Sequence, residues 1–442
     1  MIRSLPEQVV AADALAQAIS RGTVDEIEVA WPDHSGHVLG KRIPAERFQG
    51  RAVSPGFPFC SGALTWDTAG EVQEGARLTS WDSGYPDVFA VPDISTYRPL
   101  PWRGRAGQVL ADVVDQHREM VRTFPRTVLR RVTSRLAALG YTARVGVELE
   151  CYLLRPDGTL AQDGLHAYSL EKSNELDPVL SEIGRLGEYV PVEGILTEYG
   201  PGQVEINLAH QDALTAADDA FRLKYAIKEL ARRHGLLATF MAKPFSGQSG
   251  SSAHVHVSLW RDDSPLFAPV DGAESALARQ AIGGLLNHLP ALVLFGGPTV
   301  NSYKRYEPGS FAPVTATWSG DNRTAAIRSL LESPEASRAE LRTASADANP
   351  YWLVAATLAA IVSGLENGAT PPDRGQGNLY GSGERLPATL ADAIDAARGD
   401  TTLAGILGED AVHDFTVLAA AEWRAYTTEV TCWETNRYLR RA

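Results

Sequence analysis

Four short segments of the chain set ionisable or amide residues two apart, with apolar residues between them. Val147-Glu148-Leu149-Glu150-Cys151 carries two glutamates, and Val204-Glu205-Ile206-Asn207-Leu208 a glutamate and an asparagine. Ala253-His254-Val255-His256-Val257-Ser258 carries two histidines and a serine, and Ala339-Glu340-Leu341-Arg342 a glutamate and an arginine. On a β-strand, spacing of two sends both polar groups to one face and the apolar residues to the other. An antiparallel sheet with one face in water shows the same alternation. The residue types point further: solvated strand positions favour Thr, Lys and Tyr, whereas these faces collect carboxylate and imidazole with almost no lysine to neutralise them. Carboxylates with a single imidazole suit Mg2+ or Mn2+ better than Cu(I) or a structural zinc. Phosphate chemistry is the usual client of such ions.

Arg305, Arg323, Arg328, Arg338 and Arg342 crowd a 38-residue span. Guanidinium forks match phosphate and carboxylate oxygens in bidentate geometry, although a scatter of surface salt bridges is the plainer alternative. No GxxxxGK[ST], strand-linked GxGxxG, HExxH or GxSxG motif occurs, which disfavours P-loop and kinase readings.

The elements that must position these residues fit a large soluble protein. A length of 442 residues favours two or more domains, and 44% hydrophobic with 21% charged residues is a globular composition. The formal charge of −13 argues against a nucleic-acid partner. Cys60, Cys151 and Cys432 lack CxxC spacing, so a reducing cytoplasm is expected, with no disulfide framework or zinc site. Met1–Gln8 holds charges and a proline, unlike a signal peptide. The apolar run from Tyr351 to Leu365 falls short of the roughly 20 residues that span a bilayer and predicts a buried helix. No internal repeat is present.

Helical spacing runs over Val10–Gly22, and Ile27, Val29 and Trp31 precede a turn at Pro32–Gly36 that predicts a hairpin returning through His37–Ile43. The Pro/Gly-rich stretch ending at Gly104 suggests a boundary near residue 104, giving units 1–104 and 105–442. Helices are predicted over Pro125–Gly140 and Ala216–Gly235, and strands over Ala238–Met241 and Ala253–Trp260.

In this order, the polar segments resemble the signature blocks of the glutamine synthetase family, from about residue 90 to the C-terminus. Val91-Pro92-Asp93-Ile94-Ser95-Thr96 is similar to its PDPST block, Gly146–Glu150 to GxExE, and Glu198-Tyr199-Gly200-Pro201-Gly202-Gln203-Val204-Glu205 to E-x-x-PGQ-x-E. Lys243-Pro244-Phe245 with Gly250–His256 resembles KPxxGxxGSxxHxH. Asn301–Arg305, Asn322-Arg323 with Arg328, and Glu340–Arg342 followed by Asn349-Pro350-Tyr351 complete the set.

The resemblance implies an α+β chain with an N-terminal β-grasp domain and a catalytic domain whose curved antiparallel sheet forms a half-barrel. It implies ATP and two to three Mg2+ or Mn2+ ions per site, one ion held by Glu150, Glu198 and Glu205 and a second by Glu148, His254 and Glu340. Arg323, Arg328 and Arg338 would bind phosphate oxygens, with Arg323, Arg328 and Arg342 catalytic. Glu193, His256 and Ser258 would lie near the nucleotide; Arg305, Arg342 and the backbone at Gly250 would hold glutamate. A double-ring dodecamer is implied as well. The implied mechanism phosphorylates the γ-carboxylate of glutamate, and an amine then displaces phosphate.

The chain departs from the family pattern at the amine. Where the family reads PGYEAP, with an acid that closes over the site, this sequence reads Pro308-Gly309-Ser310-Phe311-Ala312-Pro313, so Phe311 replaces the acid. The family's DGSS segment has no counterpart in Phe57-Pro58-Phe59-Cys60-Ser61-Gly62. Losing two anions and gaining a ring favours an organic amine (alkylamine, polyamine, ethanolamine or arylamine) against which Phe311 packs. Glu307 is either a displaced acid or a solvated loop charge. Two rivals stay open: authentic glutamine synthetase using ammonia, and a non-catalytic binding relative. Tyr380 lies where some members carry a modified tyrosine, and no regulatory expectation is attached to it.

Overall fold

The computed structural model describes residues 5–49 and 56–441, so the segment Met1–Gln8 lies partly outside the described residues. Five strands build a first sheet: β1 (Glu26–Pro32), β2 (Val38–Pro44), β3 (Phe57–Cys60), β4 (Asp87–Pro99) and β5 (Ala106–Val114). Their order is β2-β1-β5-β4-β3, with β1 and β5 parallel at the centre and the remaining pairs antiparallel. The predicted hairpin is β1–β2, and the predicted N-terminal helix spans Leu5–Ser20. This sheet has its own small core, containing Ile27, Val29, Trp31, Val109 and Val113.

The boundary expected near residue 104 falls between β4 and β5, inside this sheet. The Pro/Gly-rich stretch ending at Gly104 is the connection that turns the chain from one into the other.

The second sheet contains β6 (Thr142–Leu154), β7 (Val192–Thr197), β8 (Gln203–Leu208), β9 (Gln211–Asp212), β10 (Leu237–Thr239), β11 (Ala253–Arg261), β12 (Ser264–Pro265), β13 (Trp318–Ser319), β14 (Ile327–Leu330) and β15 (Arg338–Leu341). Its main path is β13-β14-β15-β11-β6-β8-β7, antiparallel except for β13–β14, and it curls as the expected half-barrel. The alternation read from sequence decides which way the faces point. Val145, Val147, Leu149, Val204, Ile206, Val255, Val257 and Leu341 are buried in the main core, which leaves the intervening polar residues on the other face.

Helices Pro125–Ala138, Ala213–Arg233, Ala276–Gly296 and Pro350–Glu366 contribute to that core. Asp212 caps the second of these by accepting from Thr215 N. Pro350–Glu366 is the helix predicted from the run Tyr351–Leu365, and it is buried from Pro350 to Gly364. It approaches Ala276–Gly296 so closely that a Cβ on Gly284 would lie 2.2 Å from Ala360 O, so only glycine fits the crossing. Among the described residues no helix is long and apolar enough to cross a membrane.

Arg126, fully buried, joins the first sheet to helix Ala213–Arg233. Its guanidinium donates to Asp218 at 2.9 and 3.0 Å, to Asp112 at 2.7 Å and to Asp93 at 2.9 Å. Burial alone would raise the Asp93 carboxyl, but Arg126 holds it at about 2.

Candidate active site

Strand register converts the sequence pattern into a site. Across β6–β8, Glu150 faces Glu205 and Glu148 faces Asn207. Across β6–β11, Glu148 faces His254, and across β11–β15, His256 faces Glu340. Arg328 on β14 faces Glu340 in turn.

Side-chain atoms converge accordingly. His254 Nδ1 lies 3.2 Å from Glu148 Oε2 and 3.6 Å from Glu340 Oε1. His256 Nε2 lies 3.0 Å from Glu148 Oε1, and Arg338 Nε donates to His256 Nδ1 at 3.2 Å. Arg328 Nη1 donates to Glu340 Oε2 at 2.9 Å, and Arg342 donates to the other carboxylate oxygen.

Two neighbouring cavities share Glu148. One, of about 480 Å3, is lined by Glu193, His256, Ser258 and Arg338. The other, of about 510 Å3, is lined by Glu150, Glu198, Glu205, His254, Glu340, Gly250, Arg305, Phe311, Arg323, Arg328 and Arg342. Every site residue named from sequence therefore lines one of two adjoining spaces; of the groups expected to hold the nucleotide, Glu193, His256, Ser258 and Arg338 line the first, whereas Arg323 and Arg328 line the second with those expected near metal and glutamate.

Charge is out of balance in the second space. Burial raises the carboxyl of Glu205 to about 8, with Glu148 and Glu150 adding to the effect. Burial and Glu150 likewise raise Glu198 to about 7. Burial would also raise Glu148 and Glu340, but His254 and His256 hold Glu148 well below the usual carboxylate range, and Arg342, the histidines and Arg328 bring Glu340 to about 2. Two acids whose carboxyls burial raises, beside two held low by histidine and arginine, form a group whose charge a divalent cation would balance.

Two sets of oxygen and nitrogen donors lie close enough for one ion each: Glu148, His254 and Glu340, and Glu150, Glu205 and His254. The first matches the expected set. In the second, His254 stands where Glu198 was expected. Glu198 belongs to the same cavity, but it follows β7 on a turn where its carboxylate accepts from Tyr199 N at 3.2 Å, outside the close-set trio.

Several supporting contacts went unread in the sequence. Gln203 donates to Glu150 Oε2 at 3.0 Å, Ser252 N donates to the same oxygen at 2.9 Å, and Ser252 Oγ donates to Glu150 Oε1. Asn207 donates to Glu205 Oε1 at 2.9 Å. These bonds fix carboxylates that repulsion would otherwise spread. Gln203 stands inside the PGQ block, which was the available signal. Arg305, 3% exposed, donates to the carbonyls of Thr343 and Ala344, each at 2.7 Å. A Cβ on Gly250 would sit 2.3 Å from Arg305 Cγ, so glycine lets that arginine pass.

Aromatic residues line one side of the second cavity. Phe311 and Tyr199 have ring centroids 5.7 Å apart, and Tyr168 lines the same space. Nothing in the sequence marked Tyr168 or Tyr199 for this position. Phe311 and Tyr168 both hold the left-handed backbone conformation, at φ 59° and 60°. Glu307, weighed above as a displaced acid, instead pairs with Lys243 Nζ at 3.4 Å.

The profile of the glutamine synthetase catalytic domain matches residues 122–438. This chain belongs to the glutamine synthetase family. It is 33% identical over 442 residues to the glutamate–isopropylamine ligase of a Pseudomonas species, covering 95% of this chain and 96% of that one. It is 33% identical over 443 residues to γ-glutamylethanolamide synthetase GlnA4 of Streptomyces coelicolor, covering 97% and 96%. Proteins named glutamine synthetase match at similar identity. The structure of GmaS without ligand superposes with a TM-score of 0.85 at 32% identity, covering 96% of this chain and 99% of that one. The two sheets described above are thus the glutamine synthetase fold.

Proposed function

We infer that this member of the glutamine synthetase family is an ATP-dependent ligase that joins the γ-carboxyl of glutamate to an organic amine. The observation that carries the reading is the wall of Phe311, Tyr199 and Tyr168 on the cavity that also holds Arg305, Arg342 and the carboxylate–histidine cluster. An ammonium ion needs anions around it; three exposed rings suit an alkyl or aryl substituent, or a cation softened by one. The names of the isopropylamine and ethanolamide relatives support the same class.

Arg305 and Arg342 bind the carboxylate groups of glutamate, while Glu193, His256, Ser258 and Arg338 line the nucleotide space. Divalent ions held by Glu148, His254 and Glu340, and by Glu150 and Glu205 with Glu198 beside them, supply neutralising charge to the phosphoryl group when bound. A γ-carboxylate oxygen of glutamate attacks the terminal phosphorus of ATP and ADP leaves. The amine nitrogen then attacks the acyl carbon, phosphate leaves, and the nitrogen gives up a proton. Arg323, Arg328 and Arg342 assist by holding the charge that develops on the transferring oxygens, a task of position and electrostatics.

We further infer a cytoplasmic homo-oligomer, with a dodecamer of two hexameric rings as its form. The three free cysteines and the exposed Val430, Trp433 and Leu439 of the C-terminal region support these readings.

The test is phosphate release from ATP and glutamate with ammonium, isopropylamine, ethanolamine, putrescine and aniline in parallel, with the products weighed by mass spectrometry. Turnover with one organic amine well above that with ammonium is expected. Equal or better use of ammonium makes the chain a glutamine synthetase, and no metal-dependent turnover with any of them makes it a non-catalytic relative.

A further inference from the structure

A third cavity, of about 570 Å3, lies between the turn at Ser35–His37 and the far end of helix Ala213–Arg233, away from the carboxylate cluster. Its size is that of small-molecule sites, about 300–1,000 Å3. Lys224, Lys228 and Arg232, each one turn after the last on that helix, line it together with His37. Lys224 is 7% exposed; its ammonium donates to Ala348 O at 3.0 Å and stands 5.4 Å from the Phe240 ring. Lys228 Nζ stands 5.8 Å from the same ring.

The acids nearby are already engaged. Asp347 accepts from Ser345, Thr299 and Ser302 at 2.5, 2.7 and 2.8 Å; Glu229 pairs with Arg232 at 2.8 Å; Asp33 holds His37 at 3.0 Å. Among the described residues, no salt bridge forms to Lys224 or Lys228. Burial, with Lys228 beside it, lowers the Lys224 amine to about 7. Asp33 and Asp347 act on the two lysines only through space while bonded to other donors, so in this half-open cavity both side chains keep donor capacity that an anion can take up. Leu236, Ala238 and Met241 add an apolar side to the same space.

We propose that this cavity binds a small organic acid, its carboxylate or phosphate-ester head against Lys224 and Lys228 and its apolar body along Phe240 and Met241. No catalytic role is attached to the site, and it stands whichever amine the enzyme uses.

The probes are 4-bromobenzoate and 4-bromophenyl phosphate, with neutral 4-bromobenzyl alcohol as the control. Crystals of the full-length protein are soaked in each, and binding is titrated by calorimetry on wild type, Lys224→Met and Lys228→Glu. Expected are a bromine anomalous peak in this cavity and binding about tenfold weaker in the variants and for the alcohol. The tighter of the two anions identifies the headgroup. Lys228 is at the open side, so Lys228→Glu keeps the test decisive if Lys224→Met fails to fold. The proposal falls if bromine is found only elsewhere, if the alcohol binds as well as the acids, if Lys228→Glu binds like wild type, or if a second copy of the chain fills the space in the assembled protein.

Discussion

Glu150 and Glu205 are cross-strand partners, two acids opposed on adjacent strands of the half-barrel. Like charges so placed destabilise a sheet, and neither acid forms a salt bridge to a lysine or arginine among the described residues. Around them the protein holds its carboxylates with neutral donors: Gln203 and Ser252 for Glu150, Asn207 for Glu205.

Stability should therefore depend on pH in opposite ways with and without metal. The folded-state values of Glu205 and Glu198, about 8 and about 7, lie above the ordinary carboxylate value. Between about pH 4.5 and 8 the folded protein then binds more protons than the unfolded chain, so these two groups make metal-free stability fall as pH rises. Mg2+ or Mn2+ must displace those protons, so thermal stabilisation by metal should grow from pH 6 to pH 8.5. Differential scanning fluorimetry across that range checks this, and Glu205→Gln should flatten the metal-free slope while weakening the response to metal. A response independent of pH would show that these acids do not hold the ion.

Gly250 and Arg305 make a second prediction. Because an added Cβ would meet Arg305 Cγ at 2.3 Å and Ala242 O at 2.8 Å, Gly250→Ala should displace the arginine. The KM for glutamate should rise about 10- to 100-fold with little change in the KM for ATP. Equal effects on both substrates would place the damage elsewhere.

Phe311 separates strain from recognition. At φ 59° a residue with a Cβ costs about 1 kcal/mol more than glycine, so Phe311→Gly should raise the melting temperature slightly, whereas Phe311→Ala should not. Both should raise the KM for the amine and leave the KM for glutamate unchanged. An unaltered amine KM in both would remove Phe311 from the acceptor site.

Removing Arg126 would leave buried Asp218 without a cation, while Asp93 and Asp112 would keep Arg130. Arg126→Met should cost about 3–5 kcal/mol in urea unfolding. Arg126→Lys should recover only part of this, because one ammonium cannot reproduce the bidentate fork on Asp218.

Much of this site was legible because its geometry is local. Spacing of two on a strand fixes a face, so Glu148 with Glu150, and His254 with His256, could be paired before any fold was known. What could not be read is non-local. The parallel pairing of β1 with β5 draws Ala106–Val114 back across an expected boundary, and no short-range pattern announces it. Nor does spacing say that the exposed residues Tyr168, ahead of helix Leu170–Glu175, and Tyr199, just after β7, line one cavity with Phe311, more than a hundred positions further on. The departure of Glu198 from the close-set trio depends on its turn, where the alternation rule no longer holds.

Alternation also limits how such a centre can change. Inserting one residue in the middle of Thr142–Leu154 would swap inside for outside along half the strand, turning the carboxylates toward Val204 and Val255 and the leucines toward solvent. Only a local bulge, such as the irregularity between Val192 and Gly194 on β7, would spare the rest of the strand. Innovation in acceptor choice is accordingly left to the turns and loops at the rim, such as Gly309–Ala312 and the residue at position 168, which can lengthen or exchange rings without disturbing the ladder beneath.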